Sequence, residues 1–205
     1  AAWAAQLQPS YAPELELACV AAGAAAADVE LAGPTLDGSF FSFFLAYGAI
    51  GYAAAYPELQ LEPYLVGDAA ATIDGLRRTN IVQAAVRGPR FARVAQLTNP
   101  NVLELPSWRA RLRENRLGTF APATPILLHH ARHDQIVAFE QSEQLLEDWR
   151  ERGVDASLHI TRGGFDHISG AVAGASVALD WVQRRLAREA AAARAGNVVA
   201  LRRAA

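Results

Sequence analysis

Pro125-Ile126-Leu127-Leu128-His129-His130-Ala131-Arg132-His133-Asp134-Gln135-Ile136-Val137 is the stretch whose reading decides the fold. Its opening apolar run, led by proline and too short for a helix, predicts a buried strand over 126–130. A turn comes next, over 131–135. Residues 138–152 then place Phe139, Leu145, Leu146 and Trp149 on one side of an amphipathic helix, and Gly153 suits its C-terminal cap. Ala156, Leu158 and Ile160 alternate with Ser157, His159 and Thr161, which is the period of a strand. Gly163-Gly164-Phe165-Asp166-His167 reads as a loop and 168–186 as a closing helix. Strand, helix, strand and helix at this spacing predict a parallel α/β fold.

Upstream, the pattern loosens. Residues 1–7 suit a helix that ends before Pro9, where the next amide donor is missing. Residues 15–22 form a short apolar run closed by Gly23, which suits another buried strand, with Cys19 inside it. Gly33 and Pro34 mark a loop. From Gly38 to Tyr56 the chain carries no charge. Its glycines, serines and scattered tyrosines do not make a membrane span, because Ala and Gly supply little transfer energy and the tyrosines form no belt at each end. A pair of buried apolar helices is expected instead. Further helices and loops are expected over 72–86 and 108–116. Arg109, Arg111, Arg113 and Arg116, with Glu114 among them, read as a solvated helix face rather than an anion site. The Ala/Arg-rich end, 188–205, reads as a frayed helix or loose tail.

The chain has 205 residues, 52% of them hydrophobic and 20% charged, with a formal net charge of −2. That is ample for a core and excludes a disordered chain. A near-neutral balance leaves no electrostatic footprint for nucleic acid. All 19 basic residues are Arg, and roughly a fifth of the chain is Ala, well above ordinary usage. A single cysteine, Cys19, permits no intrachain disulfide. There is no Met, and the chain opens on Ala1-Ala2-Trp3-Ala4-Ala5, which reads as helix interior. These two features favour the C-terminal part of a longer protein. With its neighbouring strands absent, the 15–22 edge would then have no partner and favour aggregation of the isolated chain.

In an open parallel sheet the reactive groups sit in loops at the carboxyl ends of the strands. Asp134 comes after the first strong strand and His167 after the second, with one helix and one strand between them. Their loops therefore share one edge of the sheet. An acid followed by a histidine is the second half of the chain order Ser, Asp or Glu, His. A serine hydroxyl is a poor nucleophile until an imidazole takes its proton, and the imidazole needs a carboxylate to fix its tautomer and stabilise the imidazolium. Gly163 and Gly164 let the histidine loop turn tightly.

Several segments together resemble the secretory lipase family of fungi and actinobacteria, a branch of the α/β-hydrolases. They are Trp3-Ala4-Ala5-Gln6-Leu7 with Tyr11-Ala12-Pro13-Glu14-Leu15, the stretch 21–31, the aromatic segment 40–47, Pro125-Ile126-Leu127-Leu128-His129, His133-Asp134-Gln135-Ile136-Val137 and Gly164-Phe165-Asp166-His167. The resemblance runs from Ala1 to about Leu186. It implies the C-terminal part of an α/β-hydrolase fold with a mostly helical cap. The core would be residues 1–32 and 121–187, the cap or lid 33–120 and the tail 188–205. It implies Asp134 as triad acid and His167 as triad base, an ester or lipid substrate, no cofactor, and a secreted or cell-envelope location. Phe40, Phe41, Phe43, Phe44 and Tyr47 fall in the cap and are candidates for contact with acyl chains or a lipid interface. The family's nucleophile elbow, Gly-x-Ser-x-Gly, does not occur here, so its place is expected just upstream of Ala1. Ser10, after Pro9 at a helix end, does not suit a strand-to-helix elbow. The chain alone is then expected to be inactive.

Rival readings use the same residues. Asp166 adjoins His167 but is too close in sequence to orient its ring. Asp28, Asp37 and Asp68 are loop residues that nothing distinguishes. His129, His130, His133 and Asp134 resemble a metal cluster, yet successive strand residues point to opposite faces, and no further ligand stands at a suitable spacing. Cys19 reads as a structural residue. Two other functions remain open: a carboxylesterase or peptidase of the same fold, and a non-catalytic interaction protein.

Overall fold

The structure is a computed structural model and describes residues 1–164 and 166–203. Phe165, named in the histidine loop, and the last two residues of the tail lie outside the described residues. The chain divides into two compact units, 1–27 with 117–205, and 28–116.

The first unit is built on three parallel strands, β1 (Val20–Gly23), β2 (Ile126–Ala131) and β3 (Ala156–Thr161), in the order β1-β2-β3. Val20 is in register with Ile126, and Ile126 with Ala156. All six residues of β2 are buried, as a central strand covered on both faces requires. On one face Ile126 and Leu128 join a core with Ala5 of helix α1 (Ala2–Tyr11) and with Leu145 and Trp149 of the amphipathic helix α8 (Glu140–Glu151). The long closing helix α9 (His167–Arg203) covers the other face. It comes close because it carries glycine where the sheet is bulky: a Cβ on Gly170 would stand 2.4 Å from the Ala131 Cβ, and one on Gly174 only 2.1 Å from His129 Nδ1. The His129 ring cannot retreat, because a Cβ on Gly23 would meet its other side at 2.3 Å. Burial, with His159 and His130 nearby, pushes the His129 imidazole below its usual range.

The second unit contains α2 (Val29–Leu36), α3 (Phe43–Ala55), α4 (Ala69–Leu76), α5 (Ile81–Arg87), α6 (Val94–Leu97) and α7 (Pro106–Glu114). Phe43, Leu59, Leu61, Ile73 and Trp108 form its core. No described helix is long and apolar enough to cross a membrane. The arginines in and just after α7 are engaged by acids of the same unit. Arg109 and Arg113 share Glu30 at 2.9 and 3.1 Å, Arg111 meets Glu58 at 2.6 Å and Glu114 at 2.5 Å, and Arg116 meets Asp28 at 3.3 Å. Exposed pairs of this kind contribute little to stability. They neutralise the row and leave it unsuited to an outside anion.

Several sequence expectations are corrected. The first helix runs through Pro9, because one missing amide costs a single bond and the last turn still closes from the Ala12 amide to the Gln8 carbonyl at 3.0 Å. Gly33 and Pro34 lie inside α2, whose start is fixed by Asp28: its Oδ1 accepts from the Glu30 amide at 2.8 Å. The uncharged 38–56 stretch makes one helix, α3, not two. Gly48 and Gly51 weaken it by about 1 kcal/mol each, which burial of Phe43, Leu45, Ala46 and Ala49 offsets. The first strand is shorter than 15–22, because β2 starts at Ile126 and Val20 is the residue opposite. Leu15 and Leu17 instead offer their carbonyls to Gln8 Nε2 and Thr124 Oγ1, both at 2.7 Å. Cys19 therefore precedes the strand, half-buried, with its thiol pushed up by desolvation. The closing helix does not stop at 186 but continues to Arg203.

Candidate active site

The two loops at the carboxyl ends of β2 and β3 meet. After β2, the chain turns back on itself so that Asp134 Oδ1 accepts from the amides of Ile136 and Val137, both at 2.9 Å. This self-capping turn is what an aspartate before an x-Val pair supplies, and it leaves Oδ2 to face outward from the turn. After β3, α9 begins at His167. His167 Nδ1 lies 2.7 Å from Asp134 Oδ2, and its backbone amide donates to Gln135 Oε1 at 3.2 Å. One loop thus grips the other at both side chain and backbone.

Asp166, the rival acid, is used elsewhere. Its Oδ1 accepts from the Ser169 amide at 2.8 Å and hydroxyl at 2.7 Å, while its own amide donates to Ser169 Oγ at 3.0 Å. This reciprocal cap starts α9 and fixes the backbone from which His167 projects.

Electrostatics favour a charged acid and a basic imidazole. Burial of Asp134 opposes its ionisation, but hydrogen bonds from His130, His167 and the two loop amides outweigh it and hold the carboxyl well below its usual range. The hydrogen bond to Asp134 raises His167 above the ordinary imidazole value, against the opposing effect of desolvation. Because Nδ1 faces a carboxylate, it carries the proton of the neutral ring. Nε2 is then the basic nitrogen, and the side chain is 30% exposed. The arrangement can take a proton from a hydroxyl at Nε2 and return it to a leaving group.

The pair makes stability depend on pH. Asp134 is depressed, so its contribution is present above the unfolded carboxyl value and is lost as pH falls through the folded one. His167 is raised, so its contribution is full below the unfolded imidazole value and is lost as pH rises through the folded one. Both act together between about pH 4 and pH 6.5. Thermal unfolding of Asp134→Asn against the unsubstituted form, both as the whole protein, should show the largest deficit in that window and a smaller one on either side. A deficit independent of pH would contradict the ion pair.

His129 and His130 point to opposite faces of β2, and among the described residues no cluster suits a metal ion. His130 is the residue that sequence reasoning missed: its ring is buried and its Nε2 lies 3.2 Å from Asp134 Oδ2. Ser10 Oγ donates to the Leu7 carbonyl at 3.1 Å at the exposed end of α1. Of the aromatic residues, Phe43 is fully buried, Phe41, Phe44 and Tyr47 pack partly buried against the second unit's core, and Phe40 is 39% exposed beneath the Arg90 guanidinium. The Tyr47 hydroxyl donates to the Thr79 carbonyl at 2.9 Å. Beside the histidine loop, Arg132, His133, Ile160, Arg162 and Gly163 line an open groove of about 460 Å³.

Parallel strands flanked by helices, with an acid and a histidine from successive carboxyl-end loops in contact, define an α/β-hydrolase-like chain. Among solved structures it is similar to Candida antarctica lipase A, with a TM-score of 0.82 at 21% identity over 89% of this chain and 45% of that one. It is also similar to the rice cell wall degrading esterase LipA from Xanthomonas oryzae, with a TM-score of 0.66 at 19% identity over 80% of this chain and 48% of that one. The secretory lipase family matches residues 1–193, and the chain belongs to that family. Lipase 4 of Candida albicans is 28% identical over 194 residues, covering 89% of this chain and 42% of that protein. A secreted triacylglycerol lipase of Malassezia globosa, LIP4, is 25% identical over 193 residues, covering 90% and 42%. The chain spans less than half the length of these curated relatives.

Proposed function

We propose that this chain is the C-terminal part of a secreted or cell-envelope serine hydrolase acting on the carboxylic esters of lipids, and that it supplies the acid and base of the triad. The observation that carries the reading is the 2.7 Å contact between His167 Nδ1 and Asp134 Oδ2, made by loops at the ends of neighbouring parallel strands. Membership of the secretory lipase family and the names of its relatives support the substrate class.

In this mechanism His167 Nε2 removes the proton from a serine hydroxyl contributed from outside the chain as its oxygen attacks the ester carbonyl carbon. The imidazolium then gives that proton to the departing alcohol as the C–O bond breaks, leaving an acyl-enzyme. Water repeats the sequence: His167 takes its proton, the hydroxyl oxygen attacks the acyl carbon, and the serine leaves with the proton returned to it. Asp134 keeps the tautomer right and stabilises the imidazolium that forms twice per turnover. Phe40 is the most exposed of the five aromatic candidates and is assigned to acyl contact, with residues 33–120 as the cap. No cofactor enters any step.

The test is chain-length dependence on aryl esters with the whole protein. A lipase prefers long acyl chains and turns over faster once substrate forms an interface. Preference for acetate or butyrate esters without an interfacial rise would place the protein among carboxylesterases, and absence of any esterase activity would remove the enzyme reading.

A further inference from the structure

We propose that His130, pinned by Ser142, is a positioning residue for Asp134: it shares Oδ2 with His167 and so sets how strongly the carboxylate pulls on the catalytic imidazole. This rests on the reading of Asp134 and His167 as the acid–base pair.

A histidine in a fully buried strand must satisfy both ring nitrogens or lose stability. His130 satisfies both, and the partners fix its tautomer. Nε2 faces two acceptors, the Val137 carbonyl at 3.0 Å and Asp134 Oδ2 at 3.2 Å, so it carries the proton. Nδ1 is then the acceptor for the Ser142 hydroxyl of α8, 2.7 Å away. The Phe139 ring, 5.5 Å between centroids, closes another side. Ser142, His130 and Asp134 have the residue types of a triad but cannot act as one. Ser142 is 1% exposed, and the side chains of His130 and Asp134 are 0% and 1% exposed, so no ester reaches them. What remains is a buried brace. Loop amides hold Oδ1, and His130 restrains Oδ2 from the side away from solvent while tying the Val137 backbone to β2.

The brace has a consequence at His167. A second donor on Oδ2 takes up part of the carboxylate's negative charge. Without it, more of that charge falls on His167, and the imidazolium gains. The charged groups that act on His167 are Asp134 from the β2 loop and Asp166 from its own helix cap. Neither residue is itself replaced by a substitution at 130, so the change at His167 reads the lost donor on Oδ2.

The experiment is imidazole ¹H–¹⁵N correlation on the whole protein, ¹⁵N-labelled at histidine, across a pH titration. In His130→Asn the amide reaches only the Nδ1 position and meets Ser142. In His130→Gln it reaches the Nε2 position and donates to Asp134. The His167 midpoint should move to higher pH in His130→Asn and stay near the unsubstituted value in His130→Gln. An unmoved or lowered midpoint in His130→Asn, or the same displacement in both variants, overturns the proposal. Should neither variant fold, the unsubstituted whole protein decides: at pH 8 the His130 ring must show its proton on Nε2, and a proton on Nδ1 overturns the proposal. Asp134→Asn separates the two levels of the argument. It should lower the His167 midpoint toward the ordinary imidazole value, and no change there would sink the acid–base pair itself.

Discussion

Replacing His167 by Ala in the whole protein should lower kcat/KM for a short aryl ester by at least about a thousandfold, the scale on which loss of one triad member is felt. In the proposed cycle all four proton transfers pass through His167 Nε2, and no other described group is placed to carry them. His133 lies on the same loop as Asp134 but meets no carboxylate among the described residues, and His130 is closed in the core. The substitution should leave folding largely intact. His167 occupies the first position of α9, the Asp166–Ser169 cap remains, and Asp134 keeps three of its donors. The loss should therefore appear in kcat far more than in expression or thermal midpoint. A loss under tenfold removes His167 from the mechanism.

The largest stability effect should come from Trp149→Ala. Trp149 is 0% exposed and fills the space between α8 and the β2 face formed by Ile126 and Leu128. Truncation removes most of a large apolar side chain and leaves a cavity that the stiff strand cannot collapse into. Such changes cost about 3–5 kcal/mol. The indole N–H is buried without a partner among the described residues, so its removal relieves a desolvation cost and draws the net loss toward the lower end of that range. Urea denaturation of the whole protein should show the full difference, while Tyr11→Ala, at a site 88% exposed, should fall within about 0.5 kcal/mol of the unsubstituted protein. A Trp149→Ala loss below about 1 kcal/mol, the size of an ordinary surface-to-average substitution, would mean that α8 is not packed on the sheet as described.

The parts of the fold legible in the sequence are those where pattern and packing agree. Residues 156–161 alternate and form β3 with the same bounds, and the apolar face of 138–152 is the one α8 buries. Asp134 and His167 are legible because strand ends can be read from periodicity, and the loops after parallel strands gather at one edge of the sheet. Punctuation misleads. Pro9, Pro34, Gly48 and Gly51 each signal a break locally, and each sits inside a helix because tertiary burial outweighs a cost of one bond or about 1 kcal/mol. His130 escapes notice for a different reason. Strand alternation rightly separates it from His129, but that only dismisses a metal. The available signal is its polarity in an apolar strand, four residues before the acid: a buried imidazole must have partners, and Asp134 and Ser142 are near enough in sequence to be considered.

The central claim is that Asp134 and His167 serve a serine that this chain does not itself supply. The most direct measurement is to read the coding frame upstream of Ala1. The account predicts Gly-x-Ser-x-Gly within about ten codons, at the turn that starts α1. A frame that stops short of such an elbow, or that carries the elbow with its serine replaced, would contradict it and leave a hydrolase-like chain with no nucleophile to activate.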